Sequence, residues 1–302
     1  MVSLEMETTP FGHITRRIPM VKIISDSTCD LSRELQQQYD IDILPLHIIL
    51  GANEYEDGFG ITPEELYRWS DDTKQTPKTS ACSVDEAMAM FDNYLSDGSE
   101  IVCFSISESM SSTCNNMRLA AQKLGAADRV FVIDSANLST GVGLLVIEAA
   151  LMAQKGMNGR AIADAIEAIK PLVRSSFVVD TLTYLHRGGR CSGAAALVGS
   201  TLKLHPKIVV ADGKMSPGKK YRGRMSRAIM DYVKDLEAEL QTARKNRVFI
   251  THSGCAQEDI DMVQAYLESL GRFEEILITR AGGVISSHCG PGTLGVLFIA
   301  EK

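Results

Sequence analysis

The sequence lacks several patterns that would place it in a common functional class. No CxxC pair occurs among its seven cysteines, and no cysteine and histidine pairs have the spacing of zinc ligands. An odd number of scattered cysteines is typical of free thiols rather than of a disulfide framework, so we expect a reducing, cytoplasmic location. The cysteines are Cys29, Cys82, Cys103, Cys114, Cys191, Cys255 and Cys289.

The chain also lacks the apolar segments that membrane insertion and secretion require. Its longest apolar runs are far shorter than the roughly 20 residues of a membrane-spanning helix. The start of the chain carries acidic side chains and no apolar core of the signal-peptide kind, so we interpret residues 1–20 as an N-terminal extension.

Excess positive charge is missing as well. The chain has 31 basic and 38 acidic side chains and a net charge of −7, which argues against a nucleic-acid-binding protein. One local exception is the basic stretch from Lys203 to Arg227, in which only Asp212 is acidic. This stretch is either a solvated face or a docking surface for an acidic or phosphate-bearing partner.

What is present is the alternation of short apolar runs and helical patterns that is typical of a parallel sheet covered by helices. After about residue 174 the pattern favours antiparallel strands, with Asp212-Gly213 as a hairpin turn. We therefore predict an α/β protein of two lobes, with a parallel-sheet domain over residues 21–173 and a C-terminal α/β domain with a partly antiparallel sheet over 174–302. A chain of 302 residues, 45% of them hydrophobic, is long enough for two cores.

Helix-start signals are clear at several points. Thr62 and Ser83 each open a capping box, and Asn158 is a third candidate N-cap. We further expect one extended run over 41–50, in which Pro45 indicates an edge strand or a bulge. Other helices are expected over 112–124, 141–155, 194–204, 225–243 and 257–270.

Three loops rich in serine and threonine should lie at strand ends: 25–28, 76–80 and 105–113. Ligands of open α/β sheets bind at the carboxyl ends of the strands, and helix N-termini favour anions. Hydroxyl groups add neutral donors for a carboxylate or phosphate. The alternative is that these side chains only cap helices, and both interpretations remain open at this point.

His288 is the histidine that we single out, in a loop-rich stretch where its ring could reach a ligand. The nearby GxGxxG match, from Gly290 to Gly295, is rejected as a dinucleotide site because a strand follows it where the fingerprint needs a helix. The sequence has no G-x-S-x-G motif and no Walker A lysine. It offers no named catalytic residue, metal site or cofactor site.

Taken in order, several motifs resemble the DegV family of fatty-acid-binding proteins, the acyl-binding subunits of bacterial fatty acid kinase. The resemblance runs from about Val21 to the C-terminus. The matching stretches are Ser25-Asp26-Ser27-Thr28-Cys29-Asp30-Leu31, Lys78-Thr79-Ser80, 107–113, Arg187-Gly188-Gly189-Arg190, Tyr221-Arg222-Gly223-Arg224 and His288-Cys289-Gly290 through Leu294-Gly295.

This resemblance implies a long-chain fatty acid, such as palmitate, in an apolar tunnel between the lobes. Its carboxylate would bind Thr79 and Ser111, with His288 completing the network and Arg222 near the mouth where the kinase docks. The kinase subunit would supply ATP, metal and catalysis and form the acyl phosphate. The chain itself would be no enzyme, with the fatty acid as ligand, no cofactor, and peripheral membrane contact for lipid exchange.

The chain departs from the family pattern in two of these loops. The usual Thr-Ser-Gln-Pro is Thr79-Ser80-Ala81-Cys82 here, and the usual Leu-Ser-Gly-Thr-Tyr is Met110-Ser111-Ser112-Thr113-Cys114. Thr79 and Ser111 are retained. Cys82, Cys114 and Cys289 flank the expected site without an explanation from the sequence.

Two other functions stay open. One is a stand-alone enzyme that acts on a small acid or phosphate, with a loop serine as nucleophile and His288 as its base. The other is a regulatory or scaffold protein that recruits a partner through the basic stretch from Lys203 to Arg227.

Overall fold

The computed structural model of the chain describes residues 20–191 and 204–301. Strands and helices alternate through this part of the chain, and short 3-10 turns lie at Ser27–Cys29 and Lys170–Leu172. The strands are β1 (Val21–Asp26), β2 (Ile41–Leu44), β3 (His47–Leu50), β4 (Asn53–Glu56), β5 (Lys78–Ser80), β6 (Glu100–Ser105), β7 (Val130–Asp134), β8 (Val173–Val178), β9 (Leu204–Ala211), β10 (Lys214–Arg222), β11 (Ala243–His252), β12 (Glu275–Arg280) and β13 (Leu294–Ala300). The helices are α1 (Arg33–Tyr39), α2 (Pro63–Thr73), α3 (Val84–Leu95), α4 (Thr113–Lys123), α5 (Thr140–Gln154), α6 (Gly159–Ile169), α7 (Thr183–Gly188), α8 (Met225–Asp235), α9 (Glu237–Leu240), α10 (Gln257–Ser269) and α11 (Gly283–Cys289).

The strands form three sheets. A parallel sheet has the order β2-β1-β6-β7, and a mixed sheet has the order β10-β9-β8-β13-β11-β12. In the mixed sheet only β11 and β12 are parallel neighbours. The third sheet is small and antiparallel, in the order β4-β3-β5. The predicted α/β class, with a parallel sheet followed by a partly antiparallel one, is confirmed.

Helix α5 joins the two large sheets. Its residues Val142 and Leu144 to Ile147 are buried on all sides, in the same apolar cluster as Ile23 of β1 and Leu297 of β13. A helix that is apolar around its whole circumference belongs inside a protein. Because α5 contacts β1, β8 and β13, the two large sheets share one core. The division into two domains at residues 173 and 174 stays a prediction.

Local sequence signals place most helix starts correctly. The side chains of Thr62, Ser83 and Asn158 each accept a hydrogen bond from a backbone N–H of the following helix, and both expected capping boxes form. Helices α4, α5 and α10 lie within one residue of the expected ranges at both ends.

Other expectations were wrong in detail. Pro45 divides the run over 41–50 into β2 and β3, which belong to different sheets. The single helix expected over 225–243 is α8 followed by α9, and Ala243 already begins β11. The loop expected over 76–80 contains β5, which pairs with β3. The helix expected over 194–204 falls almost wholly outside the described residues, as does the extension over 1–20 except Met20. No helix within the described ranges is long and apolar enough to cross a membrane.

Candidate functional site

A cavity of about 330 Å³ lies where the loop after β6, the mixed sheet and α11 meet. Its volume is at the small end of the range for ligand sites, roughly 300–1,000 Å³. Hydroxyl groups and two histidines interrupt a wall that is otherwise mainly apolar. The apolar wall includes Ile106, Met110, Leu138, Phe177, Val284 and Leu297.

One face of α11 forms a side of this cavity. Val284, Ile285, His288 and Cys289 all line it, with the spacing of residues on a single helical face, and Ala281, just before the helix, also lines it. The prediction that His288 lies in a loop-rich stretch was therefore wrong, because His288 belongs to the last turn of a helix. This helix is short and begins with glycines, which weakens its sequence signal.

Close packing explains the glycines at the start of α11. A Cβ atom at position 283 would lie 2.3 Å from Cδ1 of Ile48, which is buried in β3. The backbone N–H of Gly282 donates to Asp30 Oδ1 at 2.8 Å, and that of Gly283 donates to Asp57 Oδ1 at 2.7 Å. Two buried carboxyl groups thus fix the beginning of the helix that carries His288.

Burial dominates the chemistry of these carboxyl groups. It raises the pKa of Asp30 to about 8 and that of Asp57 above its usual range, although both groups accept hydrogen bonds. Asp26 lies beside them, and burial raises its pKa to about 6. Sequence patterns did not predict this cluster, because the three acids are distributed over two separate segments of the chain.

Thr79 and His288 meet at the cavity wall, although 209 positions separate them in the chain. Thr79 Oγ1 and His288 Nε2 are 2.8 Å apart. The Nδ1 atom of His288 is buried without a hydrogen-bond partner. It packs against Gly188, where a Cβ atom would lie 2.3 Å from Nδ1.

This environment fixes the charge and the tautomer of the ring. Burial, and after it the positive charge of Arg190, lower the pKa of His288 to about 4, so the imidazole is neutral at neutral pH. A proton on Nδ1 would be a buried donor without an acceptor, which is costly. We therefore assign the proton to Nε2, which donates it to Thr79 Oγ1. The hydroxyl proton of Thr79 is then available to an acceptor in the cavity.

Ser111 also lines the cavity, in the loop between β6 and α4. Its Oγ accepts from the backbone N–H of Thr113 at 3.3 Å and lies 2.9 Å from Thr113 Oγ1. Ser112, the residue at the N-cap position of α4, makes no capping hydrogen bond with its side chain. Ser111 thus both accepts an N–H at the start of α4 and lines the cavity, whereas Ser112 does not cap the helix.

The loop over 25–28, which we expected to contribute to a ligand site, has a different role. Its residues do not appear in the described lining of the cavity. Thr28 Oγ1 donates to Asp26 at 2.5 Å and Ser27 Oγ donates to Asp57 at 2.8 Å, so both hydroxyl groups serve the buried acids. Of the three hydroxyl-rich loops, those with Thr79 and Ser111 reach the cavity.

Arg222 lies elsewhere. It is exposed at the end of β10 and is not among the described lining residues of the cavity. It lies in a surface groove whose charged side chains are mainly basic, namely Lys219, Lys220, Arg222, Arg227 and Lys234 with Asp231 and Asp235. Arg190 is the arginine at the cavity, where its Nη1 donates to the carbonyl of Gly188 at 2.6 Å. Arg190 is not one of the predicted site residues, although it belongs to the matching motif Arg187-Gly188-Gly189-Arg190.

The cysteines near the cavity are protonated thiols at neutral pH. Burial raises the pKa of Cys82 and of Cys289 to about 12 and also raises that of Cys114. Among the described residues, no group of three or more histidine, cysteine, aspartate or glutamate side chains is arranged to hold a metal ion.

The model of the family described as "Uncharacterised protein, DegV family" matches residues 20–301. The chain belongs to the DegV family. A DegV domain-containing protein of Deinococcus radiodurans is 31% identical to it over 276 residues, which cover 91% of this chain and 97% of the relative.

Solved DegV structures have the same fold. A fatty-acid-binding DegV protein from Thermus thermophilus matches with a TM-score of 0.86 and 28% identity, over 93% of this chain and 100% of that one. A stearic-acid-binding protein from Eubacterium ventriosum matches with a TM-score of 0.80 and 28% identity, over 93% of this chain and 98% of that one.

Proposed function

We propose that this DegV protein binds a long-chain fatty acid, such as palmitate, in its apolar cavity and is not itself an enzyme. The carboxylate binds at Thr79 and Ser111, and His288 orients the hydroxyl group of Thr79. The observation that carries the proposal is the hydrogen bond between Thr79 and the neutral His288 at the wall of an apolar cavity. Two proteins of the same fold, one of them a DegV protein, are described as binding fatty acids.

The chemistry of the wall fits such a ligand. An acyl chain gains free energy by leaving water for the apolar wall, in proportion to the apolar area that it buries. Its carboxylate keeps its charge only where donors replace the water that it loses. Hydroxyl donors, with Arg190 at the rim, meet that need without a bidentate arginine pair that would hold the acid more firmly.

A carboxylate held in this way is suited to presentation to a second protein. We propose that a separate kinase subunit docks in the cytoplasm, supplies ATP and metal, and converts the bound acid to an acyl phosphate. The exposed basic groove with Arg222 is the docking surface in this proposal. Isolated protein should consume no ATP, whereas addition of the kinase subunit should yield acyl phosphate.

The alternative of a serine nucleophile has less support. Such an enzyme needs a base beside the serine, and the described hydrogen bond of His288 is to Thr79. Mass spectrometry of the denatured, purified protein separates the two functions. We expect a long-chain acid to be released, while turnover of a small ester or phosphate by the isolated chain would support the enzyme.

A further inference from the structure

The cavity has a second polar region near the N-terminal end of α11, whereas His288 lies at the C-terminal end of that helix. Ala281 and His288 line the same cavity, but Ala281 comes just before the first residues of α11 and His288 lies in its last turn. His252 lies at the Ala281 end, because the N–H of Ala281 donates to its carbonyl at 2.9 Å. Ser139 and Thr251 also line the cavity, and Ser139 shares Asp30 as a partner with Gly282.

The hydroxyl groups in this second region already form hydrogen bonds with other protein groups. Ser139 Oγ donates to Asp30 Oδ2 at 2.5 Å. Thr251 Oγ1 lies 2.6 Å from the Oγ1 of Thr140 and 3.1 Å from the Oγ1 of Thr279, in a chain of three hydroxyl groups. Neither side chain needs a ligand to satisfy its hydrogen bonds.

His252 differs from these neighbours. Its Nδ1 accepts from the N–H of Gly254 at 3.3 Å. Burial, and after it the charge of Arg280, lower the pKa of the ring to about 4, so the ring is neutral and its proton lies on Nε2. No hydrogen bond from this Nε2–H to a described residue is formed, and Nε2 is not among the fully buried unpaired atoms, so water can reach it. The second polar region therefore holds one neutral donor that is free to bind an oxygen atom.

We propose that the His252 end of the cavity binds an oxygen atom carried on the acyl chain, so that the preferred ligand is a hydroxy or oxo fatty acid. This inference rests on the proposed function, because it requires the carboxylate to lie at the Thr79 end. An unsubstituted chain would cover Nε2–H with methylene groups and remove its water, which costs free energy. An oxygen at the right position would replace that water.

The test is a binding comparison with hexadecanoate and its monohydroxylated derivatives, with the hydroxyl placed at successive mid-chain carbons and at the terminal carbon. We expect at least one positional isomer to bind wild-type protein about 2- to 10-fold more tightly than hexadecanoate, the range for one neutral hydrogen bond. The readout is the ratio of the two dissociation constants for each protein variant.

Two substitutions assign the preference to His252. His252→Leu removes the donor, so the ratio should fall to about one, whereas His252→Gln keeps an N–H donor and should retain part of the preference. His186→Gln, at an exposed histidine of α7, is the matched control and should keep the full preference.

The outcomes separate this inference from the proposed function. If hexadecanoate binds and no hydroxylated isomer binds more tightly, the second polar region is not a ligand site although the fatty-acid site stands. A preference that persists in His252→Leu would also overturn the assignment. If neither hexadecanoate nor any derivative binds, the proposed function and this inference both fail.

Discussion

At the scale of single residues, the proposed acid-binding site depends on neutral hydrogen-bond donors. His288 is uncharged at neutral pH because burial lowers its pKa, and its ring determines which way the hydroxyl group of Thr79 donates. Ser111 contributes a second hydroxyl from another loop. The sequence predicted these three residues through the family motifs, but hydroxyl-rich loops alone could not distinguish Thr79 from the structural hydroxyl of Thr28.

Removing either hydroxyl should weaken acid binding. Thr79→Val and Ser111→Ala each remove one hydrogen bond to a charged group, which is worth about 1.5–3 kcal/mol, or roughly a 10- to 150-fold increase in Kd. Displacement of a fluorescent fatty acid measures this. Ser109→Ala is the matched control, because Ser109 is exposed in the same loop and its side chain is not in the described lining. Unchanged affinity in both site variants would contradict the placement of the carboxylate.

Asp30 should make the protein less stable as the pH rises. In the unfolded chain this carboxyl ionises near its usual pKa of 3.8, whereas in the folded protein burial raises the pKa to about 8. Between about pH 4 and pH 8 the folded protein therefore holds a proton on Asp30 that the unfolded chain has lost. The free energy of unfolding falls as the pH rises through this range and up to about 8. Urea unfolding at about pH 6 and about pH 9 measures the decline.

Asp30→Asn is the matched variant for this effect. Asparagine cannot ionise, keeps an oxygen for the N–H of Gly282, and tolerates the left-handed backbone at this position, where φ is 51°. We expect a smaller loss of unfolding free energy between the two pH values than in the wild type. An equal loss in both proteins would show that Asp30 does not titrate in this range.

At the scale of secondary-structure elements, the helices and strands that the sequence did not predict are those that depend on tertiary contacts. Capping boxes and helical periodicity predicted α2, α3 and α4 because those signals are local. Helix α11 and strand β5 are short, and both depend on distant partners. Two buried carboxyl groups hold the start of α11, and β5 exists only by pairing with β3.

Gly188 at the end of α7 should prove essential to this arrangement. A methyl group there would lie 2.3 Å from His288 Nδ1, so Gly188→Ala must displace the ring or α7 itself. We expect acid affinity to fall about as much as in Thr79→Val. The double variant should lose little more than either single variant, because both act through the same hydrogen bond. Additive losses in the double variant would contradict this coupling.

At the scale of the whole molecule, the candidate site combines elements of three sheets. Thr79 lies in β5 of the small sheet, Ser111 follows β6 of the parallel sheet, and His288 lies in α11 before β13 of the mixed sheet. Helix α5 packs against both large sheets. Sequence patterns predicted the two large sheets, because strands alternate with helices in the first part of the chain and Asp212-Gly213 indicates a hairpin in the second. They could not predict that Arg222 lies in an exposed groove apart from the cavity, since that depends on how the hairpin of β9 and β10 folds back.

This separation predicts distinct effects on docking and on acid binding. Arg222→Glu should slow formation of acyl phosphate with the kinase subunit at least 10-fold, because charge reversal in a docking surface opposes the partner. The affinity of the isolated protein for hexadecanoate should not change. Arg68→Glu, at an exposed arginine of α2, is the control with the same change of charge. Full activity of Arg222→Glu would exclude this groove as the docking surface.

The position of the carboxylate in a crystal structure of the complex with hexadecanoate tests the central claim most directly. We predict one carboxylate oxygen within hydrogen-bonding distance of Thr79 Oγ1, the other near Ser111 Oγ, and the acyl chain running along α11 toward Ala281. A carboxylate at His252, with the methyl end at Thr79, would contradict the account, as would an empty cavity at saturating hexadecanoate.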